Sequence, residues 1–174
     1  MGVLPAILIF AGPNGAGKTT YAHKYLASAR RQYAFLNADQ FARNLRSQGA
    51  PDNRADLLAV KQLLREIDDH QKLRLDIALE TTLSGRSYLD SIPVWRSVGY
   101  FVEMHYLRLP NIEASIAGVS NRVANGGHDV PEYVLRRRFP LSLKHLEQAK
   151  ALVDLWHVFD FGVFDPVESG SNGR

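Results

Sequence analysis

The residues best suited to chemistry lie near the N-terminus. Gly12, Pro13, Asn14, Gly15, Ala16, Gly17, Lys18 and Thr19 fit the pattern G-x-x-x-x-G-K-[ST], and Thr20 follows. Glycines let the backbone fold around an anion, so that successive N–H groups and a helix N-terminus point at phosphate oxygens. In such a loop Lys18 reaches the β- and γ-phosphates of a nucleotide, and the Thr19 hydroxyl coordinates Mg²⁺. The context agrees with the letters: an apolar run, Leu4 to Ala11, comes before, and a helix-forming segment comes after. A glycine-rich turn without a ligand would need neither flank. The loop specifies that a nucleotide binds and leaves open what is done with it.

Two carboxylates follow apolar strand-like runs, the place where ligands bind in open α/β sheets. Asp39 follows residues 33–38, and Glu80 follows residues 75–79. Asp39 is read either as a group acting on an acceptor hydroxyl or as the N-cap of the next helix. Glu80 is read either as a site residue or as a solvated strand end, and the small polar Thr81 and Thr82 behind it leave room for a substrate. Either carboxylate could also hold Mg²⁺ through water, beside Thr19.

Phosphoryl transfer further requires cations that neutralise charge on the moving group. Arg122 lies near the end of one expected helix, and Arg136, Arg137 and Arg138 lie in the next. Gly126, Gly127 and Pro131 make a stiffly shaped connector between them, as a closing lid requires. Three consecutive helical residues fan across about 200°, so not all of Arg136 to Arg138 face one site. His128 reads as a hydrogen-bonded loop residue, because no second ligand stands at metal spacing beside it. Trp95 and Trp156 are assigned to the core.

The elements that must position these groups alternate. Strands are expected near residues 4–10, 33–36, 75–79, 101–107 and 156–161, and helices near 18–30, 39–47, 54–70, 87–98, 112–124 and 132–152. This is the pattern of a parallel sheet crossed over by helices. In the helix from Arg54, Leu57, Leu58, Leu64 and Ile67 are set against Lys61, Arg65 and Asp68 as an apolar face opposite a polar one. Pro93 is expected to end or kink its helix. The expected architecture is a three-layer α/β P-loop NTPase fold with a mostly parallel five-stranded sheet and a helical lid. It forms one domain over residues 1–165, with residues 166–174 as a flexible tail.

At 174 residues and 45% hydrophobic composition, the chain can bury one sizeable core. It has no cysteine, so neither disulfides nor cysteine-based metal sites stabilise it, as suits the cytoplasm. The apolar opening from Val3 to Ala11 has no basic segment before it and is far shorter than a membrane span. No membrane association is expected. The net charge of +3 suits any phosphorylated ligand. A nucleic-acid partner is not expected, because no basic surface interleaved with aromatics is evident.

Together these residues resemble the zeta toxin family of P-loop kinases, in particular its short bacterial members. The resemblance rests on Gly12 to Thr19, on Asn37, Ala38 and Asp39, and on Glu80, Thr81, Thr82, Leu83, Ser84 and Gly85. It continues through Arg122 and Val123, Gly126 to Pro131, and Arg137, Arg138 and Phe139. It spans about residues 7–150. The resemblance implies a kinase that transfers phosphate from ATP or GTP to the 3′-hydroxyl of the amino-sugar in a UDP-N-acetyl-hexosamine, with a small helical antitoxin as protein partner. It implies that Asp39 is the base, that Glu80 with Thr81, Thr82 and His128 holds substrate, and that Arg122, Arg137 and Arg138 stabilise the transferring phosphate. Gly118 departs from the short members, which carry an arginine there. Two other readings stay open at the level of sequence: a nucleotide-dependent binding module, and a nucleoside, shikimate-like or polynucleotide kinase of the same fold.

Overall fold

The structure is a computed structural model that describes residues 4–163 and 165–173. Val3, at the start of the apolar opening, and Arg174, at the end of the expected tail, lie outside the described residues. The elements run β1 (Ala6–Ala11), α1 (Lys18–Ser28), β2 (Ala34–Leu36), α2 (Ala38–Ser47), α3 (Asp52–Lys72) and β3 (Ile77–Thr81). They continue with α4 (Ser87–Ser97), β4 (Phe101–Arg108), α5 (Ile112–Ala124), α6 (Glu132–Leu152), β5 (Leu155–Asp160) and β6 (Glu168–Ser171). Among the described residues these strands form one sheet in the order β2-β3-β1-β4-β5-β6. All pairs are parallel except β5 with β6.

The central strands are apolar on both sides because helices cover both faces. Ile7, Ile9, Ile77, Leu79, Val102, Met104 and Tyr106 pack under α3, α4 and α6, against Leu63, Ile67, Ile92, Trp95 and Leu146. The opposite face is thinner: Leu8, Phe10 and Ala78 meet Ala22 of α1, with Tyr21, Tyr25 and Phe35 closing the edge. The result is three layers, and α1, α2 and α5, which carry Lys18, Asp39 and Arg122, each follow the carboxyl end of a strand, while α6 with its arginines follows α5. Among the described residues no helix is long and apolar enough to cross a membrane.

Four expectations are corrected. The sheet has a sixth strand, and it lies in the segment expected to be a flexible tail. Glu168 bridges Arg108 and Lys150, at 2.7 and 3.0 Å. Asn172 donates to the carbonyls of Lys150 and Val153. Gly170 lies so close to the Trp156 ring that a Cβ would stand 2.5 Å from its Cζ2. These are specific polar contacts rather than a hydrophobic period, so β6 carries no strand signature.

β3 begins and ends two residues later than expected. Phe10 pairs with Glu80 and Ala11 with Thr81, so the ladder carries Glu80 inside the strand rather than past its end. In α3 the buried line is Ala55, Ala59, Leu63 and Ile67, at i+4 spacing, while Leu57 and Leu64 are exposed. Small alanines let the helix lie close, and they turn Leu64 out of the core. Finally, α4 does not end at Pro93 but runs on to Ser97. The amide hydrogen bond lost at proline is offset by burial of Leu89, Ile92 and Trp95 on the same helix.

Candidate active site

The phosphate loop lies between β1 and α1, and its shape depends on close backbone approaches. Gly12, at φ 142°, has no room for a side chain, since a Cβ would stand 2.4 Å from the Leu107 carbonyl oxygen. Gly17, at φ 79°, is the left-handed residue that starts α1. The helix α5 is docked onto the loop from the side: Ser115 Oγ donates to the Asn14 carbonyl at 2.7 Å, and Gly118 faces Gly15 with no space between their backbones. Gly118 is thus required by packing.

Inside the loop Lys18 is 7% exposed, and its Nζ donates to the Pro13 carbonyl at 2.9 Å. Burial lowers its pKa, and the field of Arg122 adds to this, while Glu80 and Asp39 act against it. The Thr19 hydroxyl reaches both carboxylate oxygens of Glu80, at 2.9 and 3.1 Å. Asn37 Nδ2 donates to the same carboxylate at 2.7 Å. Burial raises the pKa of Glu80 against the opposing pull of Lys18 and the Thr19 hydrogen bond. A threonine hydroxyl and a carboxylate held together beside a phosphate loop are hard oxygen donors, the set that Mg²⁺ takes. The donors present therefore fit the ion.

The role of Asn37, named above only for the resemblance, is what sequence reading missed here. Its Oδ1 accepts the backbone N–H groups of Asp39 and Gln40, so Asn37 is the N-cap of α2 and Asp39 is not. Asn ranks among the best N-caps, and its place between an apolar run and a helix was a usable signal. The Asp39 side chain accepts no hydrogen bond from the described residues and faces the cavity.

That cavity, about 470 Å³, opens beside Lys18. Its polar side includes Asp39, Glu80, Thr81, Thr82, Arg122 and Arg138. Its apolar side is formed by Val60, Leu63, Leu64 and Ile67 of α3, with Tyr88 and Trp95 of α4. Val60 and Leu64 are half-exposed and more because they face this space instead of the core. Trp95, assigned to the core, is buried and also lines the cavity; Trp156 is only half-buried, with Lys150 Nζ 4.6 Å from its ring centre.

The turn after β3 is fixed from α6. Ser142 Oγ donates to the Thr82 carbonyl at 2.6 Å, the Tyr106 hydroxyl meets Ser142 at 2.8 Å, and His145 Nδ1 lies 2.8 Å from the Leu83 carbonyl. Leu83 has φ 55°, an unfavourable conformation for a leucine, and it is held there by these bonds and by full burial.

The arginines separate. Arg138 and Arg122 line the cavity. Arg122 Nη2 donates to the His128 carbonyl at 2.7 Å, and its Nε is buried without a partner. Gly127 lets the connector wrap this side chain, since a Cβ there would stand 2.4 Å from Arg122 Cγ. Arg137 is exposed and outside the cavity, one helical step of about 100° from Arg138. Arg136 is engaged by Glu132 at 2.7 Å. The His128 side chain is exposed and outside the cavity as well, so His128 supplies a carbonyl and not an imidazole.

A second cavity, about 510 Å³, lies on the other side of the loop, bounded by Gly17, Thr20, Lys24, Arg108, Asp160 and Phe161 among others.

A mostly parallel sheet that feeds a glycine-rich loop, with Thr19 bonded to Glu80 beside a buried Lys18 and with Arg122 and Arg138 lining the adjoining cavity, defines a P-loop phosphotransferase, a nucleotide-dependent kinase. The model of the zeta toxin family matches residues 3–168, and the chain belongs to that family. It is 25% identical over 134 residues to an uncharacterized protein of Haemophilus influenzae, covering 76% of this chain and 91% of that one. In fold it is similar to a structure from the PezAT chromosomal toxin–antitoxin system of Streptococcus pneumoniae, with TM-score 0.70 and 16% identity over 97% of this chain and 72% of that chain. It is also similar to the AvrRxo1-ORF1:-ORF2 structure with ATP, with TM-score 0.66 and 20% identity over 98% and 58% of the two chains.

Proposed function

We propose that the protein transfers the γ-phosphoryl group of ATP or GTP to a hydroxyl of a small molecule, the 3′-hydroxyl of a UDP-N-acetyl-hexosamine amino-sugar. The carrying observation is the half-apolar cavity beside Lys18, lined by Asp39, which is not the cap of α2, and by Arg122 and Arg138. The acceptor hydroxyl gives its proton to the Asp39 carboxylate while its oxygen bonds to the γ-phosphorus. The bond from that phosphorus to the β-phosphate oxygen breaks, and the nucleoside diphosphate departs.

Lys18 exchanges its internal bond to Pro13 for phosphate oxygens. Thr19 and Glu80 would hold Mg²⁺, which supplies charge neutralisation across the β- and γ-phosphates. The unpartnered Nε of Arg122 is a donor suited to an oxygen of the transferring group. Thr81 and Thr82, the latter held by Ser142, supply polar contacts to the acceptor, and the Val60, Leu64 and Trp95 wall accepts the less polar parts of a nucleotide-sugar. The nucleoside of the donor occupies the second cavity, next to Thr20. As in the neighbouring toxin–antitoxin system, a small antitoxin protein is the proposed partner.

The test is ATP consumption with UDP-N-acetylglucosamine, UDP-N-acetylgalactosamine, free N-acetylglucosamine and shikimate in parallel, with products followed by phosphorus NMR. A new phosphomonoester on a UDP-sugar is expected. Phosphorylation of another acceptor alone would overturn the substrate and retain the kinase.

A further inference from the structure

The sheet face under α1 carries a polar cluster that the phosphate site does not use. Glu103 and His105 stand two residues apart on β4 and so share a face, and His157 is the register partner of His105 on β5. One ligand atom from each of the three lies within 4.8 Å of the others. His105 Nε2 is 2.7 Å from Glu103 Oε1, and His157 Nε2 is 3.9 Å from the same oxygen.

The far nitrogens of both rings are held by hydroxyls. Tyr21 Oη lies 2.9 Å from His105 Nδ1, and Ser169 Oγ lies 2.7 Å from His157 Nδ1. Metal-bound imidazoles are typically oriented this way, with one nitrogen hydrogen-bonded to an oxygen so that the other presents its lone pair. A plain ion pair with Glu103 needs only one imidazole, and His105 already supplies it. The second ring, also aimed at the carboxylate and fixed from behind by the β6 hydroxyl, is what a cation accounts for.

We propose that Glu103, His105 and His157 bind a divalent transition-metal ion, with zinc favoured by the ligand types. Two imidazoles and one carboxylate are a three-ligand zinc set with a fourth position left for water, whereas Mg²⁺ and Ca²⁺ take oxygen ligands. The site is accessible on one side: side-chain exposure is 25% at His157 and 17% at Glu103, while His105, at 3%, forms the floor. The ion would tie β4 to β5 and fix Tyr21, which lines the second cavity one turn into α1.

The test uses the full chain, stripped with a chelator and titrated with Co²⁺, whose visible absorption reports coordination, and with Zn²⁺ by calorimetry. One ion per chain is expected, with Zn²⁺ displacing Co²⁺. The isosteric Glu103→Gln and His157→Ala, at the more accessible of the two imidazoles, should each weaken binding at least about 10-fold, the lower bound for loss of even an outer partner. Ser169→Ala, which leaves all three ligands in place, should weaken binding in the same range, and His70→Ala, remote from the cluster, should bind as the wild type. Melting curves without metal identify the variants that fold. Absence of binding at micromolar metal, or equal binding by wild type, Glu103→Gln and Ser169→Ala, would overturn the site.

Discussion

Gly118 of α5 and Gly15 of the phosphate loop touch backbone to backbone: a Cβ on Gly118 would stand 2.5 Å from the Gly15 carbonyl oxygen, and one on Gly15 would stand 2.6 Å from the Ser115 carbonyl oxygen. The helix that carries Arg122 is therefore registered directly on the loop that carries Lys18. Gly118→Ala improves intrinsic helix propensity by about 1 kcal/mol but overpacks a rigid backbone contact, which costs about 1–3 kcal/mol. The second effect wins. The variant should melt at a lower temperature and bind nucleotide more weakly, as read by thermal denaturation with and without ATP·Mg. An unchanged melting temperature together with unchanged affinity would show that α5 yields freely.

Asp39→Asn should leave the fold and nucleotide affinity intact and lower phosphoryl transfer by roughly 10²–10⁴-fold, the usual effect of losing a general base. Because Asn37 caps α2, the cap is kept, and only the small helix-dipole contribution of a first-turn carboxylate, about 0.3–1 kcal/mol, is lost. Single-turnover transfer rates beside nucleotide affinities measure the split. Equal rates in the two proteins would remove Asp39 from the chemistry.

Much of this arrangement was legible in the sequence, and the failures have physical causes. The bounds of α5 and α6 follow from Asn111 and Pro131 before them and from the connector glycines. The phosphate loop is local chemistry written in consecutive residues. What could not be read depends on tertiary partners. Ser142 and His145 are ordinary helix residues until Thr82 and Leu83 are folded against them, and the choice of Arg138 over Arg137 depends on the rotation of α6 about its axis. Leu64 reads as core because hydrophobicity alone does not distinguish a buried face from the wall of a cavity.

Glu80 gives a pH prediction with a definite sign. Its folded pKa is raised above the ordinary value, chiefly by burial. A raised pKa means that the folded protein binds this proton more tightly than the unfolded chain does. The stabilisation is fully present below the ordinary glutamate pKa and is lost as pH rises through the folded value. Relative to Glu80→Gln, which does not titrate, the wild type should lose stability as pH rises from the ordinary glutamate pKa through the higher folded value, in the absence of nucleotide and metal. Denaturant unfolding of both proteins across that range checks it, and a stability difference that grows in favour of the wild type with rising pH would refute the assignment.

Arg122→Ala should lower kcat more than it weakens ATP binding, since its Nε donor is unpartnered in the free protein. Arg122→Lys should rescue poorly, because an ammonium keeps the charge and loses the planar fork. Arg138→Ala should follow Arg122→Ala, while Arg137→Ala should leave kcat within about twofold, as expected of a solvated surface charge. Steady-state kinetics on the three alanine variants rank them. A larger loss at Arg137 than at Arg138 would mean that α6 turns when substrate binds.

Ser142 tests whether the strained turn shapes the acceptor side of the site. Its hydroxyl donates to the Thr82 carbonyl and therefore accepts from the Tyr106 hydroxyl, and it is fully buried. Ser142→Ala leaves both groups without that partner, at a cost of about 1–3 kcal/mol for a buried polar group, so the melting temperature should fall. With the bond to Thr82 gone, Leu83 at φ 55° is held chiefly by its burial and by His145, and the Thr81–Thr82 edge of the cavity loosens. The expected kinetic signature is a raised KM for the acceptor with the affinity for ATP nearly unchanged, because the phosphate loop makes no contact with Ser142 through these bonds. Ser142→Thr, which keeps the hydroxyl, should retain more of the acceptor affinity than Ser142→Ala if its added methyl is accommodated. A fall in stability with an unaltered acceptor KM would assign Ser142 to folding alone.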